Sequence, residues 1–336
     1  MLNQGRPGPG NAITDIEGLT VGHSHDPAIA TGVTVILPAR FATAAVDVRG
    51  GGPGTRESDA LAPERLVGGC HALVLAGGSV YGLAAADAVA AALGARGHGF
   101  SLIEQDGVPV SPVVPAAILY DLANGGDKGW GEDPPYQRLG RDALAAAGRE
   151  VAIGRAGAGY GARAGAYPGG LGTASLDTEE GITVGAIAAV NAFGSPYLPG
   201  TNCFHAWDAE IAGEYGARRP PQGWTPPPGF PPDTKIGAAT AGANTTICAV
   251  ATDAKLTTAD CQRLAIMAQD GLARALQPAH APTDGDVVFA LSTGAKALPG
   301  PAPLALTMLG HHAAACLARA IARGVFAAEG GADGGP

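Results

Sequence analysis

Residues 241–250 read Ala241-Gly242-Ala243-Asn244-Thr245-Thr246-Ile247-Cys248-Ala249-Val250, a run of small residues that turns into a β-branched, apolar series at one point. From Thr245 to Thr252 the composition predicts a buried strand, because Thr, Ile and Val suit extended backbone and no polar alternation marks a solvent face. A hydroxyl at the head of such a strand can attack the carbonyl before it, and the N-to-O acyl shift gives an ester that water then opens. Thr245 would become a new N-terminus, with an α-amine titrating at about 7.7 to 8 beside the hydroxyl it can activate. Nucleophile and base would belong to one residue. The same letters also suit an ordinary strand entry, so spacing alone leaves both readings open.

Downstream, Thr257 or Thr258 can cap a helix reaching about Leu276, with Leu264, Met267, Ala268, Gly271, Leu272 and Ala275 at the helical period. Pro282-Thr283-Asp284-Gly285-Asp286 then places two carboxylates around a glycine before a strand over Asp286 to Ser292. An Asp-Gly turn explains the run, and so does a pair of acids that orients a cation or a protonated amine. The twelve-residue spacing of an EF-hand is absent. Leu304 to Phe326 predicts a long apolar helix; with His311, His312, Arg319 and Arg323 inside it, a buried core helix fits better than a membrane span. The Gly/Ala/Asp tail beyond it is expected to be loose.

Upstream, Arg218 to Asp233 reads RRPPQGWTPPPGFPPD, with seven prolines in sixteen residues. It predicts a solvated, extended linker. Thr183 to Val190 predicts a second buried strand ending at Asn191, and glycine dominates from Gly154 to Gly172. Arg141 to Ala147 predicts a short helix, Asn124 to Gln137 an exposed loop, and Ser111 to Leu122 an apolar segment carrying Tyr120. Further back, His71 to Ala76 predicts a strand running through Gly77-Gly78 into an alanine-rich helix over Ser79 to Leu93. Thr34 to Leu37 and Ala44 to Val48 predict strands as well. Strands, helices and glycine loops without a repeat make the fold α/β or α+β.

The 336 residues suffice for a large core. Glycine (53) and proline (27) are abundant, yet 46% of residues are hydrophobic, which predicts a globular chain with many tight turns. Net charge is −9 with only 15% charged residues, so neither nucleic acid nor an anionic membrane is expected as a partner. Five dispersed cysteines without a C-x-x-C pair disfavour a disulfide framework and a zinc ribbon. With no secretory signal legible in Met1 to Gly10, a cytoplasmic location is expected.

Competing motifs are weak. Gly157-Ala158-Gly159-Tyr160-Gly161-Ala162 fits a dinucleotide-binding fingerprint after a possible strand at Glu150 to Ile153, with Asp177 twenty residues on. The helix that should follow is replaced by RAGAYPGGLG. A nonhydrolytic dinucleotide-binding protein is nevertheless the alternative from another class. Gly51 to Thr55 lacks the lysine of a phosphate loop, and Ser79 fails the nucleophile-elbow pattern because Tyr81 stands where glycine should. A serine capping a helix is the plainer reading of Ser79. His23-Ser24-His25-Asp26 reads as a turn with solvated histidines, and His311-His312 as packing or interface residues.

Several blocks, taken in order, resemble one family. They are Asn244-Thr245-Thr246-Ile247, Ala251-Thr252-Asp253, Met267 to Ala275, and Asp284-Gly285-Asp286 through Phe289-Ala290-Leu291. Asn11 to Ile16 with Val21-Gly22-His23, Ala76 to Leu83, Gly154 to Gly159, Gly169 to Ser175 and Val190-Asn191 extend the match to roughly Asn11 through Phe326. Together they resemble the DmpA-like aminopeptidases, which include β-peptidyl aminopeptidases and nylon-oligomer hydrolases. The resemblance implies an α+β four-layer αββα sandwich with an N-terminal-nucleophile (Ntn) hydrolase-like architecture. It implies one catalytic domain over residues 1–336 that cuts itself into 1–244, with its proline-rich tail at 218–233, and 245–336.

By position, the resemblance makes Thr245 the nucleophile, Asn244 the new C-terminus and Asn191 an oxyanion donor. Tyr120 would line the site, and Asp284 and Asp286 would complete its polar network. It implies an aminopeptidase or amidase acting on short peptides or amino-acid amides, with no metal or organic cofactor, assembled as a homo-oligomer, often a tetramer. An endo-acting hydrolase of ω-amino-acid oligomers is the alternative within the class. One departure stands out: several members carry a lysine where this chain has Ala164-Gly165-Ala166, and no lysine occurs between Lys128 and Lys235. Arg155 or Arg163 could supply charge there but not a base.

Overall fold

The computed structural model describes residues 5–103, 105–235 and 244–331. In chain order the first strands are β1 (Leu19–Asp26), β2 (Thr31–Pro38), β3 (Ala42–Val48), β4 (Thr55–Arg56), β5 (Gly69–Cys70), β6 (Leu73–Ala76) and β7 (Ala116–Ile118). There follow β8 (Arg163–Ala164), β9 (Tyr167–Pro168), β10 (Gly170–Asp177), β11 (Thr183–Asn191), β12 (Thr245–Ala254) and β13 (Val287–Lys296). The α-helices are α1 (Ala84–Ala95), α2 (Tyr136–Ala145), α3 (Thr258–Ala275) and α4 (Ala302–Ala328).

Two sheets face each other. One has the order β1-β2-β6-β7-β4, the other β10-β11-β12-β13-β3-β5. The alternation along β12 explains why its sequence is apolar throughout. Ile247, Ala249 and Ala251 point into the space between the sheets, where they meet Ile36, Leu73 and Leu75. Cys248 and Val250 point the other way, onto Leu264 and Leu272 of α3 and Leu317 and Ile321 of α4. Helices α1 and α2 cover the outer face of the first sheet, with Val89, Tyr136 and Leu139 against Val33, Val35 and Val74. A strand buried on both faces needs no polar stripe. The result is the expected four-layer αββα sandwich.

Helix α3 begins where the sequence places it: Thr257 accepts from the Asp260 N–H at 3.2 Å while the Asp260 carboxylate accepts from the Thr257 N–H at 3.1 Å, a reciprocal cap. Helix α4 is long and apolar enough to cross a membrane by length and composition, yet 67% of its most apolar window is buried, against β10 and β11. The proline tract has no regular structure and is mostly exposed.

Elsewhere the sequence misleads. The glycine-rich stretch hides β10, an eight-residue strand at the edge of the larger sheet. Gly172 is there because α4 lies against the strand: a β-carbon on it would sit 1.9 Å from the Ala320 carbonyl oxygen. Glu150 to Ile153 is irregular. The loop expected up to Gln137 ends early, because Tyr136 opens α2 and is fully buried. Residues Ser79–Leu83 form a 3₁₀ turn before α1, and Ser79, at φ +52°, caps nothing with its side chain. His23 to Asp26 lie within β1 rather than in a turn; burial and the neighbouring His25 hold the His23 imidazole down to about 4. Gly157–Gly159 form a buried turn packed on β2, where the Ala158 N–H donates to Thr34 Oγ1 at 3.0 Å. A β-carbon on Gly157 would meet the same Oγ1 at 2.3 Å, so the glycine here is explained by close packing on β2.

Candidate active site

Thr245 opens β12, and the antiparallel ladder sets it directly opposite Asn191, the last residue of β11. Side chains at such positions stand about 5 Å apart at their β-carbons. On the other flank, Asn244 bridges to Asp284 in parallel register, just ahead of β13. Strand pairing alone therefore gathers four of the residues singled out in the sequence. Asn244, Thr245, Asn191, Asp284 and Asp286 are all buried.

The peptide bond before Thr245 is held from two sides. Thr245 Oγ1 donates to the Asn244 carbonyl oxygen, and the Gly285 N–H donates to that oxygen at 3.1 Å. The next amide, Thr246 N–H, donates to Asp286 Oδ1 at 2.8 Å. Asp286 Oδ2 accepts from the His280 N–H at 3.0 Å and lies 2.9 Å from His280 Nδ1. Asp284 accepts from the N–H groups of Phe193 (3.1 Å) and Ala281 (3.0 Å). Burial, and the charge of Asp286 beside it, push the Asp284 carboxyl above the usual carboxylate range. The backbone of this acidic turn is clamped by the glycines after β3, with Gly52 N–H donating to the Asp284 carbonyl at 2.7 Å and Gly50 N–H to that of Asp286 at 3.3 Å.

Asn191 is held as firmly. Its Nδ2 donates to the Tyr120 carbonyl at 2.9 Å, and its Oδ1 accepts from the Arg163 N–H at 2.9 Å and from Asn124 Nδ2 at 3.3 Å. Tyr120 thus enters the site through its backbone, ahead of the buried Asp121, which anchors this loop by accepting from Thr31 Oγ1 at 2.7 Å and Gly78 N–H at 2.8 Å. Residues 236–243, which include the small run before Asn244, lie outside the described residues. Among the described residues, no three His, Cys, Asp or Glu side chains converge as metal ligands.

One group in the site is missing from the sequence reading. Lys235, which only closed a lysine-free interval there, donates through Nζ to the Asn191 carbonyl at 3.0 Å and to Oδ1 at 3.2 Å. Burial holds its amine down to about 7. Its sole sequence signal is an isolated lysine at the end of a proline tract, where a solvated side chain is the default.

Comparison with known proteins gives the family and the fold. Residues 11–334 match the model of peptidase family S58. The chain is 46% identical over 336 residues to an uncharacterized aminopeptidase of Mycobacterium tuberculosis, covering 95% of this chain and 94% of that one. It is 30% identical over 327 residues to a 6-aminohexanoate-oligomer endohydrolase of a Kocuria species, covering 87% and 82%. A Burkholderia beta-aminopeptidase superposes with a TM-score of 0.69 at 25% identity, covering 96% of this chain and 88% of that one. The L-aminopeptidase D-Ala-esterase/amidase of Ochrobactrum anthropi, a variant of the Ntn hydrolase fold, superposes with a TM-score of 0.68 at 23% identity over 96% and 87%. With the match to the family model running nearly end to end, the chain belongs to peptidase family S58, the DmpA family of hydrolases.

Proposed function

We propose that this protein is an autoprocessed N-terminal-nucleophile aminopeptidase or amidase with Thr245 as its nucleophile. The observation that carries the reading is the Asn244 carbonyl, held between the Thr245 hydroxyl and the Gly285 N–H. Attack of Oγ1 on that carbonyl carbon breaks the Asn244–Thr245 amide, passes its acyl group to oxygen, and leaves the nitrogen as a free amine. Water then hydrolyses the ester, giving an Asn244 carboxylate and an N-terminal Thr245. In turnover the amine takes the hydroxyl proton as Oγ1 attacks the substrate carbonyl, and returns it to the departing amine. Water hydrolyses the acyl-enzyme in the second half.

Asn191, opposite Thr245, is suited to donate to the developing oxyanion. Asp284 and Asp286 orient the Thr245 amine and the free amine of an incoming substrate, which favours short peptides and amino-acid amides. No cofactor enters this scheme. We further propose a cytoplasmic homo-oligomer, a tetramer of cleaved protomers; the cysteines, all free and buried, accord with a reducing location.

A denaturing mass spectrum tests the reading. The 33.1 kDa chain is expected to appear as pieces of about 24 and 9 kDa, and the Thr245→Ala variant as a single chain. An uncut, amide-inactive wild type would overturn it. Equal turnover of N-acetylated and free peptides would remove the amine-recognition step. The Kocuria relative supports a second reading, an endo-acting hydrolase of ω-amino-acid oligomers. Cleavage of long linear polyamides without cleavage of dipeptides would select it.

A further inference from the structure

Taking Thr245 and Asn191 as the reacting pair, we propose that Lys235 is a positioning residue of the same centre: by donating to both oxygens of Asn191, it fixes the Asn191 carboxamide against Thr245 and strengthens Nδ2 as a donor. A carboxamide can occupy either of two flipped orientations, and the partners of its oxygen decide between them. Here Oδ1 takes the Arg163 N–H and Lys235 Nζ, which turns Nδ2 to the other side. A cation on Oδ1 also polarises the amide, so its N–H becomes a better partner for a developing oxyanion.

The lysine is itself delivered with care. Its N–H donates to the Phe193 carbonyl at 3.0 Å, and two residues earlier the Asp233 carbonyl accepts from the Ala166 N–H at 2.8 Å. The end of the proline-rich segment is thereby fastened beside the residues that follow β11. Oδ2 of the Asp233 carboxylate accepts from Ser195 Oγ at 2.5 Å and Tyr167 OH at 3.2 Å. The charges that face the amine are Asp284, which favours its protonated form, and Arg163, which opposes it. A surface lysine would need none of this. Burying an amine is costly, and it is sustained here by oxygens belonging to one residue of the site.

The amine loses its charge as pH rises through about 7. Wild-type kcat should therefore carry an alkaline limb beginning near neutrality. The experiment compares wild type, Lys235→Met, Lys235→Arg and Thr245→Ala by denaturing mass, melting temperature, and kcat and KM for an amino-acid p-nitroanilide from pH 6 to 9. Lys235→Met should still be cut, keep KM within about twofold, lose about 10- to 100-fold in kcat and lack the alkaline limb. Lys235→Arg should recover part of kcat and hold it at high pH, because guanidinium stays charged. A Lys235→Met enzyme with wild-type kcat and pH profile would overturn the proposal. So would a wild-type profile without the limb, which needs no variant to fold. An uncut, inactive wild type would instead strike the Thr245 reading on which this one rests.

Discussion

A β-carbon placed on Gly285 would lie 2.7 Å from Thr245 Oγ1 and 2.8 Å from the Gly52 carbonyl oxygen. The hydroxyl thus rests against the bare backbone of the acidic turn, with no room for a methyl group. Gly285→Ala should displace Oγ1 or the turn, and a displacement of about 1 Å at a reacting atom can slow a reaction about 100-fold. We expect the variant to fold with a loss of about 1–3 kcal/mol and to accumulate uncut chain. Time-resolved denaturing mass spectra and a melting curve check both parts.

Asn191→Ala removes the carboxamide opposite Thr245 and leaves the Tyr120 carbonyl without its 2.9 Å donor. Loss of one oxyanion donor costs about 100- to 1000-fold in kcat. KM should move much less, because the interaction matures only as charge develops. Steady-state kinetics on an amino-acid amide separates the two, and a KM rise with unchanged kcat would move Asn191 to substrate binding.

The raised pKa of Asp284 makes stability depend on pH. Between the ordinary carboxylate pKa and the raised one, the unfolded chain has already released a proton that the folded chain keeps. This contribution to stability therefore falls as pH rises through that window. Asp284→Asn deletes that slope, so its melting temperature relative to wild type should improve from pH 4.5 to pH 8, while turnover falls. Parallel melting curves at the two pH values test the sign.

Much of the site is legible because β11 and β12 are long, rich in β-branched residues and locally unambiguous, and because Asn191, Thr245 and the Asp284–Asp286 turn sit at strand ends. Ladder register then brings together what the chain keeps apart. β10 was illegible for the opposite reason: its glycines answer to α4, more than a hundred residues away, while locally they read as turns. His23 and Tyr136 read locally as solvent-facing, because polar and aromatic residues among turn signals give no local sign of the layer above them. Lys235 is the same case inside the site, since its partner is set by packing.

Arg319 is buried and binds Glu214 twice, Nε to Oε1 at 2.5 Å and Nη2 to Oε2 at 2.9 Å, while also reaching Asn11 Oδ1 at 2.7 Å and the Ser175 carbonyl at 2.9 Å. Burial alone would raise the Glu214 pKa, but Arg319 and Arg323 outweigh it and hold the carboxyl below its ordinary range. Arg319→Met should cost about 3–5 kcal/mol in denaturant unfolding, because a buried carboxylate loses its cation. Adding Glu214→Gln should recover part of that loss. Acid should weaken wild type as Glu214 protonates, and the double variant should lack that contribution.

The order of the larger sheet has a final consequence. Counting across it, β10 and β11 precede Thr245 in sequence, β12 and β13 follow it, and β3 and β5 precede it again. A cut before Thr245 would leave the two middle strands as a separate polypeptide wedged between neighbours from the other. Such halves cannot drift apart intact. Once unfolded, they could return only by finding each other in solution, a second-order step absent from the first folding. The persistence of the working enzyme would then be governed by how slowly it opens, with its starting conformation reached once, as a single thread.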